Sequence, residues 1–342
     1  MSNFLSYKLS FFYYFLSILI VILHSNCENT LNWINDGSFI SNIIEIVITY
    51  ICGIGHLAVP TFFIISAFLF YRNIQSVKAT IEKIRKRAKT LFLPYLLWNT
   101  IFVLIFLLIF NSPISHFIHT PNNLNSISKI INAILSSSYT PLWFVKNLLI
   151  YICLSPLLYY LSRSSAILLS IITLFIIGIN FFNNINYYSP LYWLPCYLIG
   201  IVFTKKTFKS FFIFDTNLNK PQIILYTLTF IILLALAVHM NWFYIYRILG
   251  PIIIWRLSNA ILCKNKIRMK YYWKYSFFIY CTHFFIINLL QKLMYLIMGN
   301  SNISYIIIFL LTPLIVIPIC IKIASFLERK ANKCYNILTG NR

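Results

Sequence analysis

The stretch SFFYYFLSILIVILHSNCEN, residues 10–29, decides how the chain is read. Thirteen residues from Phe11 to Leu23 carry no charge, and Ser17 is the one hydroxyl outside the two tyrosines. A run of that kind makes up most of a membrane-spanning helix, which needs about 20 apolar residues. It ends on His24, after which Ser25, Asn26 and Glu28 turn polar. A histidine at the edge of hydrocarbon has two readings. It is an interfacial side chain, or it meets something that arrives at that depth.

Composition extends the reading to the whole chain. Of the 342 residues, 60% are apolar and 10% are charged, against about 25% charged in a soluble domain. So much apolar surface cannot be hidden in a water-soluble core, so the lipid bilayer is a partner. The 28 basic residues face only 6 acidic ones. In a soluble chain that balance suggests nucleic acid, but the required basic stripe is missing. The positive-inside bias of membrane proteins accounts for it instead, and no nucleic acid is expected. Eight cysteines form no C-x-x-C pair and mostly sit in apolar runs, where a thiol behaves as a small hydrophobe. Neither a disulfide framework nor a metal site is expected. Lys8 before an apolar run resembles a signal peptide, yet no small-x-small cleavage site follows, which makes this an uncleaved first helix.

Hydropathy gives ten spans, at roughly 4–24, 55–71, 91–110, 141–162, 166–182, 189–203, 222–238, 242–262, 275–297 and 304–324. Residues 43–54 read as a re-entrant or interfacial lead-in to the second. The expected fold is all-α, a polytopic membrane protein of about ten transmembrane helices, with 1–342 as one integral membrane domain. With the N-terminus inside, inner segments hold 22 basic residues, Lys8 among them, and outer loops hold only Lys129. That split places both termini in the cytoplasm, in a multi-pass inner membrane protein. The polar 111–140 loop is then outside.

The inner segment SVKATIEKIRKRAKTLF, residues 76–92, sets Val77, Ile81, Ile84, Ala88 and Leu91 at helical spacing. Lys83, Arg85, Lys86, Arg87 and Lys89 crowd around that stripe. Such a helix lies on anionic lipid or receives an anionic cytosolic ligand.

Ionisable groups inside spans are costly and face a cavity or a partner. Lys146, Arg247, His56 and His24 fall near the outer ends of four different spans. Arg256 and His283 lie deeper or nearer the inside. Lys146 and Arg247 can also snorkel outward, and His56 and His24 can be interfacial histidines. Arg247 and Arg256 are nine residues apart, about half a rotation, so they cannot both face one pocket squarely. No H-E-x-x-H, G-x-S-x-G or phosphate-cradling glycine loop occurs.

Six stretches in order resemble the membrane-bound acyltransferase type 3 family. They are ILIVILHS (18–25), LAVPTFFIISAFLFYRN (57–73), LFLPYLLWN (91–99), PLWFVKNLLIY (141–151), PCYLIGIVF (195–203) and SFFIYCTHFFI (276–286). The resemblance implies an acyl-CoA-dependent O-acyltransferase, usually of acetyl groups, acting on a hydroxyl of an extracytoplasmic glycan, a lipid-linked saccharide or another envelope acceptor. Acetyl-CoA is then a cosubstrate, with no tightly bound cofactor. His24 matches the family's first-span histidine and would be the general base, or carry the acyl group transiently. Arg247 or Lys146 would stabilise the oxyanion. Arg85, Lys86, Arg87 and Lys89, together with Arg256 and His283, would contact the acyl donor, whose phosphates suit Lys and Arg. Two positions depart from the family pattern. Tyr13 stands where a basic residue is usual, eleven residues before the histidine, and Ser66-Ala67 replaces Ser-Gly. Lys8 lies sixteen residues before His24, about 24 Å along a helix. A transporter or flippase of a lipid-linked glycan is the rival from another class, and a family member without activity is a third reading.

The charge split generates a labelling test. A cysteine placed at Ser126, in a background without native accessible thiols, reacts with an impermeant thiol reagent in intact cells, and one at Gln75 does not. The reverse pattern overturns the orientation.

Overall fold

The computed structural model of the chain describes residues 3–26, 37–110, 124, 126–138, 140–213, 218–263 and 269–341. Those residues form helices and no strand. In order they are α1 (Asn3–His24), α2 (Phe39–Gly55), α3 (Ala58–Tyr71), α4 (Val77–Arg87), a π-helical turn (Ala88–Phe92), α5 (Leu93–Phe110), α6 (Ile127–Ser136), α7 (Trp143–Cys153), α8 (Ser155–Arg163) and α9 (Ala166–Phe182). Then follow α10 (Pro190–Val202), α11 (Lys206–Ile213), α12 (Lys220–His239), α13 (Phe243–Leu262), a 3-10 turn (Tyr271–Tyr275), α14 (Ser276–Met298), α15 (Asn302–Lys330) and α16 (Asn332–Thr339). The chain divides into two compact units, one of residues 1–73, 161–187 and 191–323, the other of 74–160, 188–190 and 324–342.

The protein is all-α and polytopic. Among the described residues seven helices are long and apolar enough to cross a membrane, or eight if α7 and α8, bent by 67°, make one span. Two of the ten expected spans fall short of that length. The fifth and sixth expected spans are α9 and α10, of 17 and 13 residues. They rise about 25 and 20 Å, short of the roughly 30 Å of hydrocarbon. Their ends fall where hydropathy set them, at 166–182 and within one residue of 189–203. The bend between α7 and α8 falls just before Pro156, whose missing N–H interrupts the helical ladder. α12 shows its lipid-facing character directly, with Ile224, Leu225, Leu228, Ile231 and Ile232 all exposed.

A correction concerns residues 39–71. The lead-in and the second span form one candidate span of 33 residues, with a short turn at His56–Leu57. Pro60 helps set that turn, because it cannot donate to the carbonyl of His56. His56 therefore sits midway along a long helical segment and not at its start. The expected 111–140 loop also contains a helix, α6, whose Ser126 cap accepts from the Lys129 N–H. Residues 111–123, 125 and 139 of that loop lie outside the described residues.

In the first unit α1 is the hub, packed against α2, α3, α14 and the 3-10 turn. Its buried Val21 joins Ile279 and Ile287 of α14 and Val316 and Cys320 of α15 in one apolar cluster. Lys8 does not behave as the loop residue its charge suggested. It is 2% exposed, and its Nζ donates to Trp255 O at 2.7 Å and to Asn259 Oδ1 at 2.6 Å. The same ammonium lies 4.1 Å from the Trp255 ring centroid. Charge-assisted hydrogen bonds and the indole face replace the water it has lost. Tyr13 stacks on Phe62 of α3 at 6.0 Å.

α3 and α10 meet at Gly200. A Cβ there would fall 2.3 Å from Ile64 O and 2.7 Å from Ala67 Cβ. Helices in lipid gain little from apolarity alone and associate through close packing at small residues. With Ala67 on α3, the glycine on the facing helix keeps the approach close. Gly200→Leu is expected to force α10 off α3 and lower the melting temperature in detergent by several degrees, since overpacking costs about 1–3 kcal/mol. Gly178→Leu, at a half-buried site where an added Cβ meets nothing within 4 Å, serves as the control and leaves the melting temperature unchanged.

Candidate active site

The site begins with the register of α1 against α14. Ser17 Oγ donates to Ser276 O at 3.0 Å, and Gln291 Nε2 donates to Ser25 O at 2.8 Å. His24 lies seven residues after Ser17 and His283 seven after Ser276. Both therefore stand about 10 Å along their helices from the same contact. Their ring centroids are 5.3 Å apart, tilted by 45°, and Phe284 meets the His24 ring edge-on at 5.4 Å. His24 is half-buried, and His283 is fully buried. α14 continues fifteen residues beyond His283 to Met298, about 22 Å. His24 thus ends its own helix inside the helical layer, not at its rim. Sequence reasoning grouped His283 with Arg256, and the structure sets it against His24.

α2 brings the next histidine. A Cβ on Gly55 would fall 2.8 Å from Leu23 Cβ and 3.0 Å from Leu19 O. The glycine lets α2 end against the last turns of α1, so His56 follows beside them. Arg247 reaches His56 from α13, its Nη2 3.2 Å from His56 Nδ1. A guanidinium only donates, so Nδ1 is the acceptor and His56 is neutral with its proton on Nε2. Nη1 donates to Tyr192 OH at 2.8 Å. The guanidinium carbon lies 4.8 Å from the Tyr187 ring and 5.3 Å from the Phe243 ring, and Phe243 meets His56 edge-on at 5.0 Å. Gly250, three residues on and so on the same face, allows this approach. A Cβ there would sit 2.4 Å from Leu57 Cδ2. Arg247 Nε is buried and makes no hydrogen bond among the described residues.

His24, His56, Arg247 and His283 thus come together in the first unit. Tyr187, Tyr192 and Phe243 complete the surroundings of Arg247, and sequence reasoning missed them. The aromatic density of NYYSPLYW, residues 186–193, was the available signal. Arg256 lies nine residues beyond Arg247 on α13, about 13 Å along the axis.

The remaining expected residues belong to the second unit. Lys146 donates from Nζ to Ser136 O at 3.3 Å. Arg85, Lys86 and Lys89 are exposed and Arg87 is half-buried. The expected apolar stripe is only partly covered: Leu91 is buried, Ile81 and Ala88 are exposed, and the residue buried on α4 is Thr80. A π-helical turn at Ala88–Phe92 follows α4. Its wider turn shifts the phase between α4 and α5, so a strict 3.6 period does not carry through.

The first unit of this polytopic helical membrane protein thus gathers two adjacent histidines, a third histidine and an aromatic-flanked arginine. Residues 14–322 match the model of the acyltransferase domain family, and the chain belongs to that family, the membrane-bound acyltransferases of type 3. No curated protein and no solved structure matches it.

The arginine cluster carries its own test. Tyr192→Phe and Arg247→Met remove opposite ends of one charge-assisted hydrogen bond. In thermal unfolding in detergent the double variant is expected to melt close to Arg247→Met alone, because partners in contact are not additive. Fully additive shifts would show that the two side chains act independently.

Proposed function

We propose that the protein transfers an acyl group, most simply acetyl, from acyl-CoA to a hydroxyl of an extracytoplasmic glycan or other envelope acceptor. The observation that carries this reading is His24 inside the helical layer, in a family whose chemistry is acyl transfer, with Arg247 and His56 at the neighbouring helix junction. In the proposed reaction His24 takes the proton of the acceptor hydroxyl as its oxygen attacks the thioester carbonyl. Arg247 is favoured over Lys146 for the oxyanion, because its buried Nε–H is a donor without a partner among the described residues. Collapse of the intermediate expels CoA as a thiolate, which takes the proton back from His24. The exposed Arg85, Lys86 and Lys89, with Arg87, are proposed to meet the phosphates of CoA on the cytoplasmic side.

His24→Ala is expected to lower acyl transfer by about 10²–10⁴-fold at equal protein in the membrane, the usual worth of a general base. The comparison is made by glycan mass analysis of cells carrying either form. Near-normal acylation by His24→Ala returns it to an interfacial side chain. Replacing Arg85, Lys86, Arg87 and Lys89 together with Gln is expected to raise the KM for acetyl-CoA and flatten its dependence on salt, since exposed charge pairs are screened. An unchanged KM would leave the segment as a lipid-surface helix.

A further inference from the structure

The surroundings of the buried His283 imidazole point to a task other than the acyl-donor contact expected from the sequence. Its Nδ1 lies 3.1 Å from the carbonyl oxygen of Ile279, one helical turn earlier. A carbonyl only accepts, so Nδ1 carries the proton and Nε2 of the neutral ring is a bare lone pair. That atom is buried and has no partner among the described residues. A buried acceptor left unmet is unfavourable and calls for an explanation. The ring beside it is His24, at 5.3 Å between centroids. That separation accommodates one N–H···N hydrogen bond of about 2.9 Å after a small rotation of the half-buried His24 ring. His24 itself makes no ring hydrogen bond among the described residues.

Two further observations support a constructed pair. The Ser17–Ser276 and Gln291–Ser25 hydrogen bonds clamp α1 to α14 on either side of the histidines. Acidic side chains, which commonly orient a catalytic histidine, are absent from α1, α13 and α14. A neutral imidazole is the cheaper orienter where a carboxylate would have to be buried as a charge.

We infer that His283 is a positioning residue for His24: its Nε2 accepts the ring proton of His24, which fixes the His24 tautomer and leaves the other His24 nitrogen free as the base. The inference rests on His24 as the base of acyl transfer. The proton balance stays simple. His24 keeps the proton aimed at His283 throughout, gains the hydroxyl proton of the acceptor on its other nitrogen, and returns that one to the CoA thiolate.

The test uses three His283 variants and His24→Ala in membranes that hold the native acceptor, with acetyl-CoA as the probe and release of CoA thiol as the readout. His283→Gln puts an acceptor oxygen near the place of Nε2. His283→Asn keeps a donor for the Ile279 carbonyl but has no acceptor at that place, and His283→Phe keeps only volume. Phe and Asn are expected to lower kcat by about 10–100-fold, as loss of an orienting partner does, with the KM for acetyl-CoA within about twofold of the parent. Gln is expected to recover most of the loss. A purely structural role for the Nδ1 bond predicts the opposite order, with Asn the better rescue, and that result overturns the inference. Should the Phe variant fail to accumulate, the Gln–Asn order decides alone. If His24→Ala is inactive while all three His283 variants turn over like the parent, the positioning role is wrong and the base stands. If His24→Ala itself is active, the underlying reading has failed.

Discussion

A polar or charged side chain inside a lipid-facing helical layer must be met by protein, because water is not there to meet it. α1 shows how far this constraint governs the first unit. Lys8 draws in Trp255 O and Asn259 of α13. Ser17 ties to the backbone at the start of α14. The carbonyl of Ser25, just past the helix end, receives Gln291. Each contact fixes a neighbouring helix at a definite height along α1, and His24 acquires its surroundings from these fixed heights. Apolar packing around Val21 fills the space between, but apolar side chains alone would tolerate a slip by a turn.

Close approach is the second requirement. The helices around the site meet where side chains vanish, at Gly55 against Leu23, Gly200 against Ile64 and Gly250 against Leu57. With no hydrophobic drive between helices in lipid, such contacts hold the bundle through dispersion and shape. They also bring ionisable groups within reach. His56 follows Gly55 directly, and Arg247 shares a helical face with Gly250. A larger residue at either glycine would move His56 or Arg247 as well as loosen the bundle.

The chemistry of acyl transfer asks for a proton acceptor and for donors aimed at a developing oxyanion, in a place of low dielectric. In the proposed reaction the imidazole of His24 and the guanidinium of Arg247 take those tasks. Aromatic rings flank the Arg247 guanidinium, whose Nε–H has no partner among the described residues. The second unit holds the exposed cations of α4 and of the π-helical turn, where the backbone widens before α5 begins.

Much of this was legible in the sequence. The runs forming α1, α12, α13, α14 and α15 are long enough that hydropathy finds them without help. The family motifs located His24 and His283, and the rule that charges inside spans are costly singled out Arg247. What the sequence left open depended on neighbours. α9 and α10 lie where hydropathy marked them, and at 17 and 13 residues they are shorter than a full span. Residues 39–55 join the second span because α1 accommodates Gly55, which no local pattern reveals. Lys8 looks like a loop cation until Asn259 and Trp255, some 250 positions away, supply its acceptors. The pairing of His24 with His283 is of the same kind. Sequence fixes each residue's height on its own helix, because the rise per residue is constant. The relative slide and rotation of two helices come only from the contacts between them, and these are decided in the tertiary structure.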